Sequence, residues 1–366
     1  MHRILFVAAH RPGRSPSQRY RFEQFEPYWR QHGFTADHAW LISAKDDRYF
    51  YAPGNWGRKS IIFAQSLRKR WMHARGASRY DLIIVQREAF MTGSTYFERM
   101  LKRTGIPFVF DFDDAIWTMD VSEGNKKLSW LKSPAKTAAL IAMADLVIAG
   151  NRYLADYAKY HNANVAVIPT TIDTESYTVK PARNDGPVNI VWTGSPTTIR
   201  HLNLAIPVLV QIKRKFGDRI GFTIIGDPSF KMAELGIQGQ PWRPQQEVSD
   251  LSCGDIGIMP LPDDEWARGK CGLKGLQYMA LGLPTLMSPV GVNTEIIQHG
   301  VNGFLPRTDE EWVELISRLV EDADLRARMG AEARRTVEER YSVNAWRDTY
   351  LKQFNNLVKQ PKGIPA

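Results

Sequence analysis

Four groups of side chains in this 366-residue sequence have the types and spacing to act on a phosphate or a hydroxyl. Lys270 and Lys274 lie four apart, where a helical run through Leu276, Gln277, Tyr278, Met279 and Ala280 begins. The first turn of a helix presents N–H groups outside the hydrogen-bond ladder at the positive end of the dipole, so two lysines there reinforce an anion site. Gly194-Ser195-Pro196 followed by Arg200 is the second group: glycine lets a ligand approach the backbone, and a guanidinium early in a helix can fork onto a phosphate. Asp111-Phe112-Asp113-Asp114 places three carboxylates in four residues at a strand end, which suits sugar-hydroxyl binding, metal binding, general-base work or helix capping. Gly13 and Arg14, with Arg19 and Arg21, form the fourth group, on the first loop of the chain.

Apolar runs set where these groups sit. Residues 3–9, 81–86, 108–111, 145–149 and 165–168 are short, nearly continuous apolar stretches of the kind found in parallel strands buried on both faces. Residues 34–42 are a further strand candidate, and helical segments alternate with the strands throughout. Such βα alternation implies a doubly wound sheet whose ligands lie beyond the carboxyl ends of the strands. The first loop has no G-x-G-x-x-G, so a dinucleotide fingerprint is absent. Val179–Pro187 (VKPARNDGP) reads as a linker. The pattern then restarts with strands at 188–192, 222–225 and 255–259 and a helix over 199–216. Residues 285–287 form a last strand, helices follow at 310–320, 325–341 and 346–357, and the tail 359–366 is expected to fray. The expected domains are 1–180 and 188–344, with a C-terminal helix at about 345–360 returning to the first domain.

The net charge of +9 is concentrated at the front: residues 1–79 hold 15 Lys and Arg against 5 Asp and Glu. An anionic partner is expected there. Residues 61–73 (IIFAQSLRKRWMH) have helical period with Arg68, Lys69, Arg70 and Arg75 clustered near the end, the pattern of a helix lying on a membrane surface or of an ordinary surface helix. The expectation is an anionic membrane surface met by basic residues 58–79, with no nucleic acid as partner, since no nucleic-acid motif is present. No stretch approaches the ~20 apolar residues of a membrane span. Residues 1–10 read as a first strand rather than a leader. Cys253 and Cys271 fit neither a metal site nor a disulfide framework, so the expected location is the cytoplasm, including the inner face of the cell membrane.

The stretch GLKGLQYMALGLPTLMSPVGVNTEII (272–297), followed by HGVNGFL (299–305), resembles the signature region of GT-B glycosyltransferases, specifically the bacterial family 4 of retaining enzymes that build surface polysaccharides. VIPTTIDTESY (167–177), ADLVIAGNRYLADY (144–157) and DIGIMPL (255–261) are similar in style, so the resemblance spans nearly the whole chain. It implies an α/β GT-B fold, two doubly wound, Rossmann-like parallel-sheet domains facing across a cleft, with the acceptor on the first and the donor on the second. The implied activity is transfer of a sugar from a nucleotide-diphosphate sugar to an acceptor hydroxyl, with retention, the acceptor being a lipid-linked or polysaccharide precursor. A nucleotide-sugar epimerase or hydrolase of the same fold, or a degenerate non-catalytic subunit, are the alternatives.

Carried over by position, the family's two donor-diphosphate cations fall on Ser195 and Arg200, and its paired glutamates on Gly269 and Gln277. One cation and both carboxylates are therefore changed, and Lys270 and Lys274 stand in for the lost cation. The resemblance assigns the donor phosphates to Gly194, Ser195, Arg200, Lys270 and Lys274. It assigns the ribose and base to Gln277, Gly226, Asp227 and Trp242. DFDDA at 111–115 matches a D-x-DDA run, so Asp113 or Asp114 is the expected catalytic carboxylate, with Gly13, Arg14 and Arg19 on the sugar or acceptor side. Neither a metal nor a cofactor beyond the co-substrate is implied.

Overall fold

The structure is a computed structural model and describes residues 1–52, 54–118, 133–179 and 186–359. Residues 180–185 of the expected linker and 360–366 of the tail lie outside the described residues. The chain divides into two compact units, one of Met1–Thr170 with Trp346–Ala366 and one of Thr171–Ala345.

In the first unit, β1 (His2–Val7), α1 (Pro16–Arg21), α2 (Glu26–Gln31), β2 (Phe34–Ala39), α3 (Ala44–Phe50) and α4 (Trp56–Arg75) come first. Next are β3 (Leu82–Gln86), α5 (Tyr96–Lys102), β4 (Phe108–Phe112), α6 (Pro134–Met143), β5 (Leu146–Ala149), α7 (Arg152–Lys159) and β6 (Val165–Val167). The strands form one parallel sheet in the order β2-β1-β3-β4-β5-β6. Every residue of β3, β4 and β5 is buried, which is why these strands read as unbroken apolar runs. The same order carries the loops after β1, β3 and β4 to one edge of the sheet, since all three strands run the same way.

The second unit holds β7 (Val188–Thr193), α8 (Ile199–Phe216), β8 (Ile220–Ile225), a small β9–β10 ribbon (Lys231–Met232 with Ile237–Gln238), α9 (Glu247–Leu251), β11 (Ile256–Met259) and α10 (Glu265–Arg268). It continues through α11 (Leu273–Ala280), β12 (Thr285–Met287), α12 (Asn293–Ile296), α13 (Asp309–Glu321) and α14 (Ala323–Arg340). Its parallel sheet runs β12-β11-β7-β8. Ile190, Trp192, Leu209, Ile224, Ile258 and Leu286 belong to a core closed by Ile316 of α13.

The division falls at Thr170/Thr171, earlier than the expected end at 180. Ile172 is bridged to Ser342, its N–H donating to Tyr341 O at 2.8 Å and its carbonyl accepting from Val343 N at 3.1 Å, so the segment after β6 belongs with the end of α14. The last helix, α15 (Val343–Val358), groups with the first unit from Trp346 onward. Tyr350 and Phe354 pack there on Phe25, Trp29 and Phe34, with ring centroids 4.7–5.8 Å apart.

Candidate functional site

The cations of the second unit gather around the start of α11. Gly272 takes φ +71 as the residue before the helix, and a Cβ there would lie 2.3 Å from Ile296 Cδ1, so the turn that launches α11 depends on glycine. Lys274 follows in the first turn. Its ammonium lies 4.4 Å from the Trp192 ring centroid and within 3.4 Å of Thr198 Oγ1. Trp192, next to last in β7, is fully buried, so the ring gives Lys274 a wall with a negative face but no formal charge. No carboxylate lies within ion-pair distance of Lys274 among the described residues. Burial, with Lys270 adding like-charge repulsion, pushes the Lys274 ammonium down to about 7.

Arg200 and Lys270 join this group. His201, one residue into α8 from Arg200, is buried and held neutral down to about pH 4, by desolvation first and then by the charges of Lys274, Arg200 and Lys270. Asp264 acts on the same imidazole in the opposite direction, so a carboxylate shares this neighbourhood with the cations. Lys270 lies 4.3 Å over the Trp266 ring. The loop after β7 is equally constrained. Gly226 has φ +120, and a Cβ on it would come within 2.0 Å of Gly194 O, so the β7 and β8 loops meet backbone to backbone. Ser195 N–H donates to Thr198 Oγ1 at 2.9 Å, and Thr193 N–H donates to the buried Tyr278 hydroxyl at 2.8 Å, tying β7 to α11. Gly194, Ser195 and Lys274 are thus brought together through Thr198 and Tyr278, with Lys270 near enough to repel the Lys274 ammonium; Arg200 enters α8 as an exposed residue.

The ribose and base assignments fare differently. Gln277 is 3 % exposed, and its Nε2 donates to Tyr177 Oη at 2.8 Å. The amide faces inward along α11, one turn from Lys274, where the sequence expects it to meet a ribose. Asp227 is buried and accepts from Ser229 N at 3.0 Å and Ser229 Oγ at 2.6 Å, which makes it a turn-capping carboxylate. Trp242 donates its indole N–H to Glu247 at 2.8 Å. These side chains serve the unit's own structure in this arrangement, and Gly226 keeps its place beside Gly194.

In the first unit the carboxylates are closed off by arginines. Arg21, buried, forks onto Asp111 with Nε–Oδ2 at 2.9 Å and Nη2–Oδ1 at 2.6 Å, and donates from Nη1 to Ile168 O at 2.8 Å. Burial pushes the Asp111 carboxyl up while Arg21 opposes it. Arg87, which follows β3 with φ +60, donates from Nε to Asp113 Oδ1 at 2.8 Å and pairs through Nη2 with Asp114 and, at 2.7 Å, with Ser17 Oγ. Burial would raise Asp113, but the charge and hydrogen bond of Arg87 outweigh it and hold the carboxyl below its usual range. Both candidate catalytic carboxylates thus share one guanidinium. On the first loop Arg11 and Arg14 both bind Asp47, at 2.8 and 2.6 Å, and Gly13 N–H donates to Glu23 at 2.8 Å. Arg19 lies half-buried, its guanidinium 5.0 Å from the Tyr20 ring. Among the described residues no three His, Cys, Asp or Glu side chains are grouped to hold a metal ion.

Arg87 escapes the sequence motifs because its partners lie 26 and 27 residues away. Its position immediately after a central strand is the one signal that points to it.

Comparison with known proteins bears on both units. The family described as "Glycosyl transferases group 1" matches residues 265–336, the stretch from α10 into α14 that carries Lys270, Lys274 and Gln277. A Xenopus tropicalis protein named glycosyltransferase 1 domain-containing protein 1 is 35% identical over 82 residues, which is 22% of this chain and 24% of that protein. Among solved structures, sucrose-phosphate synthase from Thermosynechococcus elongatus is similar over 98% of this chain and 99% of its own, with TM-score 0.72 and 15% identity. A glycosyltransferase from Rickettsia africae matches over 98% and 99%, with TM-score 0.68 and 15% identity. Anabaena HepE in complex with UDP-glucose matches over 97% and 100%, with TM-score 0.60 and 17% identity. The chain has the α/β GT-B fold, and its 265–336 stretch carries the group 1 glycosyltransferase pattern.

Proposed function

We propose that the protein is a glycosyltransferase that moves a sugar from a nucleoside-diphosphate sugar to an acceptor hydroxyl, with retention of configuration. The observation that carries this is Lys274: a recessed ammonium without a carboxylate partner among the described residues, with Lys270 near enough to repel it, at the start of a helix inside the matched stretch. A diphosphate supplies the missing negative charge. The acceptor oxygen bonds to the anomeric carbon as the bond from that carbon to the diphosphate oxygen breaks; charge accumulates on the departing phosphate, and the acceptor's hydroxyl proton passes to it. Preformed cations are worth most at that moment, because they need not reorganise. The complex of HepE with UDP-glucose supports a uridine nucleotide as the first donor to try. A lipid-linked or polysaccharide precursor is the acceptor class favoured by the sequence resemblance, and the site as read needs neither metal nor cofactor.

One observation favours a second reading. Gly269 stands where the family pattern has a glutamate, and Asp113 and Asp114 are both occupied by Arg87, as in a subunit that binds the donor without turning it over.

A thermal-shift panel of UDP, GDP, dTDP and ADP tests the donor site, because a ligand of the native state raises Tm. One nucleotide should stand out and lose its effect in Lys274→Ala. No shift with any of the four would overturn the proposal. Release of nucleoside diphosphate from its sugar, stimulated by acceptor, separates transfer from the binding-only reading.

A further inference from the structure

We propose that the outer face of α4 is a membrane-contact face that seats the first unit on an anionic phospholipid bilayer. The helix is 20 residues long, roughly 30 Å at 1.5 Å per residue. Its inner side is set by Ile62, Ser66, Arg70 and Ala74, four apart and buried. The opposite midline runs through Gly57, Ile61, Ala64, Arg68, Trp71 and Arg75, all exposed and spaced alternately four and three apart. Trp56, Leu67 and Met72 flank it, and together with Ile61 and Trp71 they are each 42–59% exposed. No other helix among the described residues exposes so many large apolar side chains.

The chemistry of this face selects its occupant. The apolar side chains are interleaved with arginines on the same stripe, whereas the core of a protein–protein interface is depleted in charge. The helix has no Asp or Glu, and it sits in the stretch 1–79 where basic residues outnumber acidic ones 15 to 5. A helix lying in the headgroup plane uses this combination: aliphatic and indole side chains enter the acyl boundary, and guanidiniums meet lipid phosphates. The Arg75 guanidinium lies 4.5 Å from the Trp71 ring centroid, which holds a cation and an aromatic ring together at the depth both favour.

The structure also corrects which basic residues are available. Arg70 is buried and donates to Ala39 O and Ala8 O, both at 2.7 Å, so it is part of the fold. Lys69 donates to Leu41 O at 3.1 Å and lies 4.2 Å from the Trp40 ring centroid. Arg68 and Arg75 are left as the cations of the face. A four-residue KR cluster in sequence thus splits between interior and surface.

Flotation of the full chain with vesicles tests this, and it uses the surface of one unit without depending on the glycosyl-transfer reading. Mixed phosphatidylcholine–phosphatidylglycerol vesicles should carry the protein upward, and pure phosphatidylcholine vesicles should not. Arg68→Gln with Arg75→Gln should lower the partition coefficient about 30-fold. Ile61→Ser with Trp71→Ser should lower it by about tenfold or more. Arg214→Gln with Lys215→Gln, an equal charge change on exposed residues of the other unit, should leave it unchanged. All altered positions are exposed, so Tm should stay near wild type; a UDP shift measured on the same samples reports the donor site separately. Flotation insensitive to the α4 variants, equal loss in the 214/215 control, or no flotation with anionic vesicles would each overturn the proposal. So would a dimer in light scattering that Ile61→Ser with Trp71→Ser dissociates, since the face would then belong to a second copy.

Discussion

Two clusters, one in each unit, treat charge in opposite ways. In the first, carboxylates after the β4 strand are matched by arginines: Arg21 on Asp111, Arg87 on Asp113 and Asp114, and nearby Arg11 and Arg14 on Asp47. In the second, Lys274 meets a hydroxyl and an indole, with the like charge of Lys270 nearby. A neutralised network is complete as it stands and fixes geometry. An uncompensated cation costs stability, and that cost is the physical ground for proposing that the ligand charge meets Lys274.

Breaking the closed side should cost folding. Arg21→Met leaves Asp111 buried without its forked partner, and should lower stability by about 3–5 kcal/mol, read as a fall in denaturant midpoint. Breaking the open side should cost function instead. Lys274→Met should reduce kcat/KM for the nucleotide sugar about 100- to 1000-fold, the scale of losing one preorganised charge-stabilising donor. The same change should not lower the Tm of the ligand-free protein, since it removes a recessed cation that has no carboxylate partner among the described residues. A fall in Tm comparable to that of Arg21→Met would erase the contrast.

A pH series sharpens the comparison further. The Lys274 ammonium is pushed down to about 7 in the folded chain, from an ordinary value of 10.5. Between those values the unfolded chain binds more protons than the folded one, so the Lys274 contribution makes ligand-free stability rise with pH across that window. Lys274→Met should flatten this part of the profile. Donor binding runs the other way: a diphosphate favours the charged amine, so affinity should fall as pH rises above about 7, by at most about tenfold per unit. The smallest effect is expected at Gln277. Gln277→Leu removes its bond to Tyr177 and should cost about 1 kcal/mol of stability, with nucleotide affinity unchanged.

What the sequence shows and what it hides follow a physical line. Strands such as 82–86 and 108–112 are legible because parallel strands buried on both faces are apolar along most of their length. Helix α11 is legible from its Gly start, its lysines and its Gly-x-Pro stop. The full extent of α4 is not, because it begins after Asn55 in a left-handed conformation with no side-chain cap. Pairings across long separations are equally silent: Gln277 with Tyr177, Arg87 with Asp113, and Arg70 with the carbonyls of Ala8 and Ala39. Arg70 in particular reads as surface because its neighbours in sequence are basic, and only the helix phase sends it inward. The group proposed for phosphate can be picked out from local features alone, a helix start and a strand-end glycine. The partners of the residues proposed for ribose and base are not legible: Asp227 accepts from Ser229, and Trp242 donates to Glu247.

Titration calorimetry of UDP at pH 8, repeated in two buffers of different ionisation enthalpy, tests the central claim most directly. If Lys274 takes the diphosphate, wild type should bind with uptake of close to one proton per nucleotide, and Lys274→Met should show weak binding with no uptake. Equal affinity in both proteins, or wild-type binding without proton uptake, would contradict it.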